Sequence, residues 1–219
     1  MMKVYHIPEL VSGLVFDIDL TLYRNDDYYQ SQHDLLIRRL SERLSLEFDE
    51  TKKRIEGIQS FFMRENRGRK LSMGNLFRQF GVSIEENCAW RSELFNPEDY
   101  LDPDKTLASI LSGLETHFSL AAVTNNTVHI GKRTLNALGV ERFFPVIIGL
   151  DTSLVSKPHE RPFRLACEAL GLPCSRLVSI GDRFEVDIEL PLVMGMGGIL
   201  VESMADTYSL PETLQTVTQ

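Results

Sequence analysis

The sequence predicts an α/β protein: a parallel sheet covered by helices on both faces, with an all-helical segment inserted after its first buried strand. Three observations lead there. Short apolar runs recur at residues 13–16, 120–123, 146–149 and 177–180, each followed by polar or glycine-containing residues. Between the later runs, apolar residues repeat at three and four, as in Leu107, Ile110, Leu111 and Leu114, which is the spacing of a helix face. From about Arg24 to about Tyr100 the strand pattern disappears and helical periodicity replaces it.

The first run, Gly13-Leu14-Val15-Phe16, is apolar throughout, as befits a strand buried on both faces. In the segment that follows, Leu36, Leu40 and Leu44 form one helical stripe with Leu35 and Ile37 beside it, and Ile55, Ile58 and Phe62 form another. A basic loop, Arg64 to Lys70, separates the second helix from a short third one over 76–80, which Gly81 is placed to end. Ser83-Ile84-Glu85-Glu86 carries the Ser-x-x-Glu pattern that opens a fourth. The expected division is therefore a helical unit at 24–100 set into a core made of 1–23 and 101–219. In the core, Asp102-Pro103 is expected to start the next helix as N-cap and first-turn proline. A fifth strand is expected at 198–201. In such a sheet, ligands bind at the carboxyl ends of the strands.

Composition bounds the function. The 219 residues are 43% hydrophobic and 25% charged with a net charge of −8, the profile of an ordinary globular protein. The negative balance opposes binding to a nucleic-acid polymer, whose affinity rests on phosphate neutralisation. It leaves small phosphorylated molecules open, because a metal and one lysine can override the overall field locally. The longest uncharged apolar stretch, 190–201, is too short for a membrane span and contains Pro191 and three glycines. Cys88, Cys167 and Cys174 lack C-x-x-C spacing and are expected to be reduced, and the scattered histidines contain no H-x-x-x-H pair. His6, Pro8 and Glu9 interrupt any leader-like run near the start. A cytoplasmic protein without a membrane partner is the expectation. Asn125-Asn126-Thr127 fits a glycosylation pattern that is expected to be fortuitous. Gly195-Met196-Gly197-Gly198 precedes a strand and lacks the G-x-G-x-x-G pattern, which argues against a dinucleotide site.

The chemistry lies where the strands end. Asp17 and Asp19 stand two apart after the first run, so an extended backbone points both to one side. Two carboxylates that close resist joint ionisation unless a cation holds them, and a dense oxygen site with room for phosphate suits Mg²⁺. Thr21 follows two residues later. Thr124 and Asn125 follow the second strand and can donate to phosphoryl oxygens. Lys157, in Ser156-Lys157-Pro158, supplies a point charge after the third. Asp182 and Asp187, in Gly181-Asp182-Arg183-Phe184-Glu185-Val186-Asp187, follow the fourth and can complete a metal shell.

The order D-x-D-x-T, Thr-Asn, Lys-Pro, G-D-x-x-x-x-D resembles the haloacid dehalogenase superfamily of phosphotransferases over nearly the whole chain. That resemblance implies a Rossmann-like core, and it makes the insertion similar to the superfamily's C1-type cap. Phe16-Asp17-Ile18-Asp19 followed by Thr21-Leu22-Tyr23 is similar to the pyrimidine 5′-nucleotidase-like branch, which commonly has Asn where this chain has Leu20. The implied activity is Mg²⁺-dependent hydrolysis of a small phosphomonoester, a nucleoside monophosphate among the candidates, through an aspartyl-phosphate. In the implied roles, Asp17 is the nucleophile and Asp19 the general acid and base. Asp17, Asp182 and the backbone carbonyl of Asp19 hold the metal. Thr124, Asn125 and Lys157 bind phosphoryl oxygens, Thr21 fixes the first loop, and Asp187 holds metal-bound water or positions Lys157. Dehalogenases of the superfamily lack the acid at Asp19. The alternatives are a phosphomutase of the same superfamily and a non-hydrolytic protein that senses a phosphometabolite.

Overall fold

The computed structural model describes residues 2–215. In chain order its strands are β1 (Lys3–His6), β2 (Gly13–Phe16), β3 (Ser119–Val123), β4 (Val146–Ile148), β5 (Leu177–Gly181) and β6 (Gly197–Leu200). The helices are α1 (Asp26–Leu44), α2 (Phe48–Glu65), α3 (Met73–Arg78), α4 (Ile84–Leu94), α5 (Lys105–Glu115), α6 (Val128–Ala137), α7 (Leu150–Ser153), α8 (Glu160–Leu170), α9 (Glu189–Val193), α10 (Met204–Tyr208) and α11 (Leu210–Gln215).

The strands form one sheet in the order β1-β6-β5-β2-β3-β4. Strand β2 lies parallel between β3 and β5, with every residue buried, which explains its unbroken apolar sequence. From β2 the chain builds outward through β3 and β4, then crosses to the other side for β5 and β6. The crevice at this reversal, above the carboxyl end of β2, is where such sheets bind ligands.

The edge strand β1 pairs antiparallel with β6 and escapes the sequence pattern because all its residues are exposed. The helix after Pro103 begins two residues later than expected. Asp104 is its N-cap, accepting from Leu107 N at 2.9 Å, while its own N–H is tied to Leu138 O at 3.0 Å. That bond to the end of α6 fixes where the helix can start. The thiol expectation also needs correction: Cys167 and Cys174 form a disulfide, and Cys88 is free and buried. Helix α8 ends at Gly171 in a left-handed turn, which brings Cys174 back over the last helical turn.

Between β2 and α5, the chain forms α1 to α4 around an apolar cluster that includes Leu36, Leu40, Phe77, Trp90 and Phe95 and is joined by Ile130 of α6. Burial of each of these is worth about 1.5–3 kcal/mol. Gly81 adopts φ 74°, and Ser83 Oγ accepts from Glu86 N at 3.1 Å. The Glu86 side chain pairs with Arg43 at 2.8 Å. Asn25, the N-cap of α1, donates to Tyr100 O at 2.8 Å, so the start and end of the helical segment meet.

Candidate active site

Three strand ends converge. Asp17 leaves β2 with its N–H donating to Ile180 O at 2.8 Å, Thr124 leaves β3 with its N–H donating to Ile148 O at 3.0 Å, and Asp182 follows β5. Lys157 arrives differently: α7 intervenes after β4, and the lysine backbone is then gripped by Asn125. The Asn125 Oδ1 accepts from Lys157 N at 2.7 Å and its Nδ2 donates to Lys157 O at 3.3 Å. Both ends of this amide, the one in the glycosylation-like pattern, are thus spent on holding a loop.

Held this way, Lys157 is buried and its Nζ lies 2.8 Å from Asp17 Oδ1 and 2.7 Å from Asp187 Oδ1. Asp187 sits in a π turn, Phe184–Ile188, a feature frequent at functional sites. Its backbone carbonyl accepts from Ser179 Oγ at 2.7 Å and its Oδ2 accepts from Arg183 N at 3.2 Å. Glycine is needed at 181 because a Cβ there would come within 2.6 Å of Asp187 Cγ.

Carboxylate oxygens of Asp17, Asp182 and Asp187 lie within 4.8 Å of one another. Burial pushes the Asp17 carboxyl up to about 7, and the nearby acids add to this against the pull of Lys157. Burial likewise pushes Asp182 up to about 6, with Asp187 adding to the rise. For Lys157 burial opposes the charge, but attraction by Asp17 and Asp187 wins and its pKa is raised. Asp17 Oδ2 and Asp182 Oδ1 are buried without a hydrogen-bond partner. Asp182 Oδ1 has only an ion-pair contact with Arg183 Nε at 3.6 Å, and two carboxylate oxygens without a hydrogen bond beside a third acid form a donor set suited to a hard divalent cation.

Asp19 belongs to a different network. Its Oδ1 accepts from Tyr23 OH at 2.6 Å and Gln32 Nε2 at 3.3 Å, and its Oδ2 accepts from Asn126 Nδ2 at 3.0 Å and Thr124 Oγ1 at 3.4 Å. Thr21 is buried. Its carbonyl accepts from Thr207 Oγ1 at 2.8 Å, while its hydroxyl has no partner. Leu20 between these residues has φ 59°, a left-handed conformation that costs a branched residue roughly 1–2 kcal/mol. Behind this network Arg91 donates to Asn126 Oδ1 at 2.6 Å. The sequence pattern gives no role to Tyr23, Gln32, Asn126 or Arg91, although Tyr23 closes Thr21-Leu22-Tyr23 and Asn126 follows Thr124-Asn125; Gln32 and Arg91 carry no signal. From the basic loop, Arg69 reaches the core and pairs with Glu189 at 2.6 Å. Among the described residues no helix is long and apolar enough to cross a membrane.

Residues 11–191 match the model of the haloacid dehalogenase-like hydrolases. A phosphoglycolate phosphatase of Pectobacterium atrosepticum is 35% identical over 83 residues, 38% of this chain, and the chain spans only 34% of that relative's length. A glyceraldehyde 3-phosphate phosphatase of Methanopyrus kandleri is 25% identical over 82% of this chain and 78% of its own. In structure, a HAD phosphatase from Thermococcus onnurineus superposes with a TM-score of 0.60 at 19% identity, covering 93% of this chain and 98% of the other. With the strand order, the convergent strand ends and a family match that runs from before β2 into α9, the chain belongs to the haloacid dehalogenase-like hydrolases.

Proposed function

We propose that this protein is a phosphoric monoester hydrolase that acts on a small phosphorylated metabolite through an aspartyl-phosphate on Asp17. One observation carries the proposal: Lys157 pins Asp17 Oδ1 at 2.8 Å while Oδ2 is buried without a partner beside Asp182. A carboxylate oriented by one oxygen and free at the other is arranged for nucleophilic attack.

Asp17, Asp182 and the backbone carbonyl of Asp19 would hold Mg²⁺, with Asp187 beside them. When bound, the ion neutralises charge on the transferring phosphoryl group and keeps Asp17 ionised. Asp17 attacks phosphorus and the ester P–O bond breaks. Asp19 gives its proton to the departing alkoxide, then takes one from the water that attacks the aspartyl-phosphate, which restores Asp17 and releases inorganic phosphate. Lys157 faces the equatorial oxygens, where transition-state charge accumulates, and the Thr124 hydroxyl, which accepts from Asn126 N at 3.0 Å, reaches them by exchanging its 3.4 Å bond to Asp19 Oδ2. Asn125 serves this step through the Lys157 backbone, and Asp187 through the Lys157 ammonium.

Residues 24–100 act as a cap on this site. Asn25 meets Tyr100 at the base of the segment, and Arg69 joins it to Glu189 beyond the fourth motif. Phe77 and Trp90 are buried in the cap's apolar cluster, so neither is available to stack on a base. The named relatives act on phosphoglycolate and glyceraldehyde 3-phosphate, both small. A nucleoside monophosphate is the comparison substrate, because the left-handed backbone at Leu20 suits the Asn of the nucleotidase-like branch.

Phosphate release from p-nitrophenyl phosphate tests the proposal. Turnover should require a divalent metal and vanish in Asp17→Asn. Unchanged turnover in that variant, or full activity in excess chelator, would sink it.

A further inference from the structure

The network around Asp19 has a direction, and it is set from the helical segment. Arg91 on α4 is only 6% exposed and donates to two amide oxygens, to Asn87 Oδ1 from Nε at 2.7 Å and to Asn126 Oδ1 from Nη1 at 2.6 Å. A guanidinium has donors alone. Asn126 must therefore turn its oxygen to Arg91 and its NH₂ group away. The two hydrogens of that group go to Asp19 Oδ2 at 3.0 Å and Gln32 Oε1 at 3.1 Å. With its oxygen occupied, Gln32 can present only Nε2 to Asp19 Oδ1, at 3.3 Å. Each amide in the chain is oriented by the one before it, and the first is oriented by the arginine.

Burying a guanidinium against amides is costly. Burial pushes Arg91 down to about 10, and the negative charge that most opposes this is that of Asp19. The apolar cluster of α1 to α4 does not need a cation at this point. The guanidinium also lies 5.7 Å from the centroid of the Phe95 ring, but its bond to Asn126 is the one that leads to Asp19, and a buried charge so placed is a candidate for function.

We infer that Arg91 is a positioning residue for Asp19: acting through Asn126, with Gln32 beside it, it fixes the carboxylate in the orientation from which it protonates the leaving group. This rests on the hydrolase reading. Without Arg91, Asn126 is free to flip and set its oxygen against the Asp19 carboxylate, which would turn the acid away from the ester oxygen. The proton concerned moves from Asp19 to the alkoxide as the P–O bond breaks.

The test compares two aryl esters of nearly equal size. p-Nitrophenoxide departs as an anion and gains little from an acid, whereas phenoxide needs the proton. In Arg91→Met, the ratio of kcat on p-nitrophenyl phosphate to kcat on phenyl phosphate should rise about tenfold or more, with KM for each ester little changed. Arg91→Lys, still donor-only, should restore much of the wild-type ratio. Equal losses on both esters, with the ratio within about twofold of wild type, would overturn the inference and leave Arg91 a structural residue. If Arg91→Met fails to fold, Gln32→Met carries the same comparison, since it removes a donor to Asp19 Oδ1: a raised ratio supports the chain of orientation and an unchanged one refutes it. If the wild type cleaves neither ester, the hydrolase reading fails first. Coupling between the two residues is then read from thermal unfolding of Arg91→Met, Asp19→Asn and the double variant, where non-additive shifts are expected and additive ones overturn the inference.

Discussion

Replacing Lys157 by Met takes a buried cation from between Asp17 and Asp187, which it contacts at 2.8 and 2.7 Å. The methionine fills much of the stem's volume, so the loss is mainly electrostatic. Breaking a buried pair by removing one partner costs about 3–5 kcal/mol. Here three carboxylates within 4.8 Å would be left facing one another. In a chain of this size that loss lowers Tm by about 6–20 °C. Its dependence on pH follows from the acids. Asp17 and Asp182 are raised from 3.8 to about 7 and about 6, so the folded protein holds protons that the unfolded chain has released. The stability they contribute is full below about pH 4 and is lost as pH rises through about 6 to 7. Lys157 opposes that loss by attracting Asp17. Thermal unfolding of both proteins in chelator should therefore give a larger deficit for Lys157→Met at about pH 8 than at about pH 5. A deficit below about 1 kcal/mol, or an equal one at the two pH values, would refute the electrostatic reasoning.

Further predictions concern the same strand ends. Leu20→Asn relieves the left-handed strain at φ 59° and should raise stability by about 1 kcal/mol, read as a higher denaturant midpoint with unchanged slope; a drop in the midpoint means that Leu20 packing outweighs the strain. Gly181→Ala drives a methyl to 2.6 Å from Asp187 Cγ, displacing the carboxylate that holds Lys157, and should lower kcat about a hundredfold in a phosphate-release assay. A fully active Gly181→Ala contradicts the role given to Asp187. Added Mg²⁺ should raise Tm of the metal-free protein, more at about pH 8 than at about pH 5, because protons compete for the same carboxylates below their raised pKa values. Scanning calorimetry with and without the ion decides this, and no shift at either pH would argue against a metal at Asp17 and Asp182.

Much of the sheet was legible in the sequence because its strands are buried on both faces. Gly13-Leu14-Val15-Phe16 has no polar residue to blur the pattern. Strand β1 was not, since Lys3-Val4-Tyr5-His6 is exposed at an edge and has no apolar face to announce it. The acids at 17, 182 and 187 and the lysine at 157 were found through their order along the chain, and the structure gathers these side chains around one point. The motif order points Asn125 at the phosphoryl group, whereas its bonds run to the Lys157 backbone, a contact set by loop geometry that no spacing rule reveals. Gln32 and Arg91 lie far from Asp19 in sequence and sit on helices whose periodicity marks apolar faces. A polar residue turned into such a face leaves no pattern, and only packing brings it to Asp19. The cysteines show the same limit, because the Gly171 turn that pairs Cys167 with Cys174 is a matter of backbone direction.

Acid-quenched turnover of p-nitrophenyl phosphate with Mg²⁺, followed by peptide mapping, asks directly whether Asp17 becomes phosphorylated. A phosphoryl group should be found on the peptide containing Asp17, be absent in Asp17→Asn, and accumulate in Asp19→Asn, where activation of the attacking water is impaired. Steady release of phosphate by the Asp17→Asn protein with no acyl-phosphate on any peptide would contradict nucleophilic catalysis at Asp17.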